Sequence, residues 1–79
     1  MLFLPLDQFT VPEINPSNIE DLVESIDEHG LIDNIRVMKI DGNIEIIDGG
    51  LRIAALKTLQ QSGRLPGDYM VPCEIVAIN

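Results

Sequence analysis

Cysteine, tryptophan and basic side chains are scarce in this chain. Cys73 is the only cysteine in 79 residues, which rules out an internal disulfide, and one Cys with one His falls short of the ligand set of a zinc site. No metal ligands are assigned. There is no Trp, and only two Phe and one Tyr accompany a hydrophobic content of 46%, so the core must be built from Ile, Leu and Val. No apolar run approaches the roughly 20 residues that cross a bilayer. The Met1–Pro5 start is too short for a secretory signal, so a cytoplasmic protein without membrane contact is expected. Five basic residues against thirteen acidic ones give a formal charge of -8, which repels a DNA backbone. A chain of 79 residues supports one core, so residues 1–79 are read as a single domain.

What is present reads in order as strand, helix, hairpin, helix, strand. Leu2 to Leu6 is a short apolar run interrupted by Pro5, and residues 7–16, with Pro12, Asn15 and Pro16, form a loop. Ser17 and Glu20 make a capping box, and Ile19, Leu22, Val23 and Ile26 recur on one helical face, predicting a helix over 18–29 that closes at Gly30. His29 is read as a residue of the closing turn. After Leu31–Asn34 the alternating run Ile35–Ile40 predicts a strand, Asp41-Gly42 a two-residue hairpin turn, and Asn43–Ile47 the return strand. The next helix is predicted over 51–61, with Leu51, Ala54, Ala55 and Leu59 as its apolar stripe and Gly63 as its stop. Pro66-Gly67 is a turn, and Met70–Ile78 is a last strand in which Pro72 implies an edge or an early position. The order β-α-β-β-α-β gives an α+β domain: a small mixed sheet with two main helices.

Two stretches carry chemistry. Asp48-Gly49-Gly50-Leu51-Arg52 turns from strand to helix, where backbone N–H groups and the positive end of the helix dipole favour an anion, and Arg52 would add a planar cationic fork. Its simpler reading is a tight turn followed by a solvated Arg. If a strand, this helix and the last strand form a crossover, the turn sits at the carboxyl end of a strand, where open α/β sheets place ligands. Glu20, Asp21, Glu24, Asp27 and Glu28 crowd the first helix, as a solvated face or as a surface for a protein partner.

The helix ending Ser25-Ile26-x-x-x-Gly30-Leu31, the strand Ile35–Val37, the turn Asp48-Gly49-Gly50-Leu51-Arg52-x-Ala54-Ala55-Leu56 and the closing Leu65-Pro66-x-Asp68-Tyr69-x-Val71-Pro72-Cys73 together resemble the N-terminal domain of ParB-type partition proteins. The fold is the one shared with sulfiredoxin and free-serine kinases, and the closing segment looks most like plasmid and mobile-element members. The resemblance implies a nucleotide, CTP or ATP with Mg2+, whose phosphates are held by Gly49, Gly50 and Arg52, with base and ribose contacts from the segment around Gly30 to Ile35. It also shows departures: Leu51 stands where the family usually carries a further Arg, Asp33-Asn34 stands in place of Gln-Pro, and Gly50 falls where sulfiredoxin has its reactive cysteine. No helix-turn-helix follows within residues 1–79, so contact with DNA is expected only through a segment outside this chain. The chain is read either as a stand-alone domain or as a piece of a longer one.

Three functions stay open at this point. The first is a nucleotide-binding regulatory module of a partition-type protein. The second is a small phosphotransferase or nucleotide hydrolase, with Asp48 or Glu28 as candidate general base. The third is a binding-only module that has lost the nucleotide and uses its acidic helix as a protein-interaction surface or a DNA-like decoy; a protein partner or a homodimer is the expected company of the domain.

Overall fold

In the computed structural model, which describes residues 2–10, 18–31 and 34–78, the hairpin organises the sheet. Strand β2 (Ile35–Ile40) returns as β3 (Asn43–Asp48) through Asp41 and Gly42, whose φ values of 49° and 81° are the paired positive angles a type I′ turn demands. The pairing runs from Ile40 opposite Asn43 to Val37 opposite Ile46, then shifts so that Arg36 faces Asp48. Ile47 is the extra residue of this bulge, and half of its surface is exposed, on the same side of β3 as Asn43 and Glu45.

The remaining strands are β1 (Leu2–Pro5) and β4 (Met70–Ile78), and the sheet order is β1-β4-β2-β3. Strand β4 is therefore interior, antiparallel to β1 and parallel to β2. Pro72 is accordingly early in its strand but not on an edge, because the parallel ladder with β2 begins only at Cys73. The antiparallel pairing of β2 with β3 also corrects the crossover argument. The turn does follow the carboxyl end of β3, but that point is the amino end of β2, so the ligand rule for open parallel sheets does not apply to it.

Helix α1 (Glu20–His29) and helix α2 (Gly50–Gln61) pack on each other. The core joins Ile35, Val37, Val71 and Cys73 of the sheet to Ile53, Ala55, Leu56 and Leu59 of α2 and to Ile26 of α1. Full burial of side chains such as Ile53 and Leu56 contributes about 1.5 to 3 kcal/mol each. The buried stripe of α2 thus runs through Ile53, Leu56 and Leu59, while Leu51 is 55% exposed, its first-turn position facing away from the sheet. Helix α1 starts two residues later than the periodicity suggested, with Ile19 as an N-cap that offers no side-chain oxygen; Ser17, the other half of the expected capping box, lies outside the described residues. Where a loop was expected after β1, Leu6–Gln8 make a 3-10 turn. Pro5 ends the strand, Leu6 turns into the core, and the Phe9 N–H donates to the Leu6 carbonyl at 3.1 Å. Among the described residues no helix is long and apolar enough to cross a membrane.

Candidate functional site at the strand-to-helix turn

Asp48 closes β3, Gly49 caps α2 and Gly50 is its first residue. Gly49 has φ 115°, and a Cβ there would stand 2.7 Å from the Ile35 Cδ1, so both backbone conformation and space exclude a side chain. A Cβ on Gly50 would meet nothing within 4 Å. The first glycine therefore shapes the turn, and the second leaves its backbone open to approach.

Among the described residues, no side chain caps the start of α2. Gly49 provides no capping oxygen, and the first turn of α2 contains no Asp or Glu. The first intrahelical bond, from the Ile53 N–H to the Gly49 carbonyl at 3.0 Å, leaves the preceding amides of the turn outside the helical ladder. Those amides and the dipole give a local positive potential, which suits phosphate or carboxylate.

Arg52 lies against this turn from behind. It is half-buried, its Nη1 is enclosed from solvent, and that nitrogen stands 3.5 Å from where a Gly49 Cβ would be. The structure places Gly49, Gly50 and Arg52 side by side, with the Arg52 Nη1 tucked next to Gly49. Leu51 points outward beside them and supplies no charge.

A depression of about 430 Å³ opens next to Gly50, walled by Phe9 and Thr10 after the 3-10 turn and by Ile44, Glu45 and Ile46 of β3. Sequence reasoning missed this wall, because Phe9 and Ile44 are distant in the chain and meet only through the fold. Ile35, from the segment expected to contact a base, is fully buried under Gly49 and serves as the floor of the turn; Ile32 and Asp33 lie outside the described residues.

The two candidate bases separate. Asp48 is exposed one residue before Gly49, whereas Glu28 lines a hollow with Ser62 and Arg64 past the other end of α2. A helix of 12 residues spans about 18 Å, so Glu28 cannot act on a phosphate at the glycine turn. Among the described residues no group of three or more His, Cys, Asp or Glu is placed to hold a metal ion. Burial pushes the Cys73 thiol above its ordinary range, partly offset by a backbone hydrogen bond from Leu4, and burial likewise raises Tyr69.

Comparison with curated proteins finds no match. The model of the ParB N-terminal domain family, in contrast, matches residues 6–77. That match runs from the 3-10 turn into β4, and so takes in both helices, the hairpin and the glycine turn, and the chain belongs to the ParB N-terminal domain family.

Proposed function

We propose that this domain is a nucleotide-binding regulatory module of a ParB-like partition protein, with the phosphates of CTP or ATP held at the Gly49-Gly50-Leu51-Arg52 turn. The observation that carries the reading is the uncapped start of α2: a glycine cap at φ 115°, open space over Gly50 and no acid in the first turn. An anion is the partner this arrangement favours. Gly50 and Leu51 would donate backbone N–H groups, and Arg52 would add positive charge from behind. Asp48 is the adjacent carboxylate for a phosphate-bound Mg2+, an ion that needs only one or two carboxylates beside phosphate and water. The bound nucleotide supplies the triphosphate whose presence or absence such a module senses. The depression along Phe9, Ile44 and Ile46 has room for part of a ligand next to the phosphate position.

Calorimetric titration with CTP, ATP and GTP in Mg2+ tests the proposal. One nucleotide should bind, and Arg52→Ala should weaken it by about tenfold to a hundredfold, the equivalent of a charge-assisted contact worth about 1.5 to 3 kcal/mol. Arg52→Lys, which keeps the charge and much of the half-buried stem, should fall between the two. No heat with any nucleotide would refute the reading and favour the binding-only module, and phosphate release on mixing would move it to the hydrolase class.

A further inference from the structure

We infer that the sheet face opposite the helices is a self-association surface, on which a second copy of this chain docks across a two-fold axis parallel to the strands. The helices and the 3-10 turn gather on one face only, around Ile35, Val37, Val71 and Cys73. Side chains alternate along a strand, so the residues between these point the other way. Phe3, Met38, Ile40, Ile47, Met70 and Pro72 share that open face, and none of them joins the core. Phe3 is 54% exposed and Met70 44%. A wet sheet face normally alternates to polar residues, so an apolar set of this extent marks a contact surface.

The centre of the face indicates the occupant. Arg36 stands in register with Glu74 of β4 on one side and Asp48 of β3 on the other, and all three residues are exposed. Among the described residues, neither Arg36 nor Glu74 makes an ion pair within the chain. Strands β4 and β2 are the two central strands, so an axis running between them lays β4 of each copy over β2 of the other. Arg36 of one copy then meets Glu74 of the second, and the same contact repeats on the far side of the axis. Met38 and Ile40 add apolar contact to β4 of the other copy. An axis across the strands at the same level would set Glu74 against Glu74, so only the parallel axis is self-complementary. Four strands about 4.8 Å apart and about 20 Å long give roughly 400 Å² of flat face per copy, about 800 Å² in the pair. That falls short of the roughly 1,200 Å² of a stable interface, so the dimer is weak and concentration-dependent. The face lies across the sheet from α2, and the inference stands independently of nucleotide binding.

Sedimentation equilibrium of the full chain, without nucleotide and at about 0.3 M salt to screen the charge of -8 on each copy, tests this. The parent should pass from monomer to dimer between micromolar and millimolar protein. Arg36→Glu alone sets like charges against each other twice, as does Glu74→Arg alone, and each should weaken association by about tenfold or more. Mixed in equal amounts, these two variants should form a heterodimer at about the parent's affinity, because every charge then meets its opposite across the axis. Lys57→Glu and Glu20→Arg, the same charge changes placed on the helices, should associate as the parent does, mixed or apart. Circular dichroism checks that each variant is folded. Phe3→Ser, which removes apolar area from the exposed end of the face without changing charge, should also weaken association and carries the test if a charge variant does not fold. A parent that stays monomeric at millimolar protein, sheet variants that associate no better mixed than apart, or a Phe3→Ser variant that dimerises as the parent does would each overturn the inference.

Discussion

Replacing Leu51 by Arg offers the sharpest test of the glycine turn, because the structure separates its effect on the site from its effect on the fold. Leu51 is 55% exposed, so truncating its apolar contact forfeits less than half of the roughly 1.5 to 3 kcal/mol that a fully buried Leu contributes. The Arg stem recovers part of that contact, and Arg and Leu have similar helix propensities. A cation in the first turn of a helix costs a further 0.3 to 1 kcal/mol or so against the dipole while no anion is bound. The net loss is about 1 kcal/mol, a fall in Tm of about 4 to 8 °C for a domain of this size. On binding, a guanidinium beside Gly50 adds a charge-assisted contact worth about 1.5 to 3 kcal/mol, a gain in affinity of roughly tenfold to a hundredfold. Calorimetry with CTP and ATP in Mg2+ reads the gain, and thermal unfolding by circular dichroism reads the loss. A Leu51→Arg variant that keeps its fold and binds nucleotide no better than the parent would show that no phosphate lies at the start of α2.

The two glycines should separate cleanly: Gly49→Ala must lose roughly 2 kcal/mol or more, and about 10 °C in Tm, because its Cβ meets Ile35 at 2.7 Å from a strained backbone. Gly50→Ala should leave Tm unchanged or higher and weaken nucleotide binding alone, and equal Tm losses in the two variants would contradict the geometry. Cys73, fully buried, should resist alkylation in the native protein and react once it is unfolded. Since burial raises its pKa, the unfolded chain ionises first, so stability should fall as pH rises past the ordinary thiol value of 9.0, and Cys73→Ala should flatten that slope in urea melts. Residues 1–79 should show no duplex DNA binding at about 150 mM salt by anisotropy, and a salt-sensitive dissociation constant near 10⁻⁶ M, the tight end of roughly 10⁻⁴ to 10⁻⁶ M for non-specific binding, would contradict the charge argument.

Local chemistry made much of the fold legible. Asp41-Gly42 specified the hairpin because few residue pairs accept two positive φ angles, and β2 and β4 span the runs their alternation and β character indicated. Gly49 and Gly50 stood out for the same reason, as backbone positions where side chains would be excluded or unnecessary. Helix periodicity was less decisive: Arg52, Lys57, Thr58, Gln60 and Gln61 are spread around α2 and mark no single polar side, so the stripe expected through Leu51 missed Ile53 and Leu56, which packing on the sheet buried instead.

Composition determined an aliphatic core, an acidic surface and a chain unsuited to disulfides, since these follow from residue counts alone. The tertiary structure decided whatever depends on which distant segments meet. It placed β4 between β1 and β2 despite Pro72, because the proline falls before the parallel ladder begins. It put Ile35 under Gly49, carried Glu28 to the far end of α2 from Asp48, and set Arg64 on Asp27 across 37 positions of chain. No local pattern encodes such pairings, because they arise from the joint burial of apolar faces and not from the preferences of any one segment.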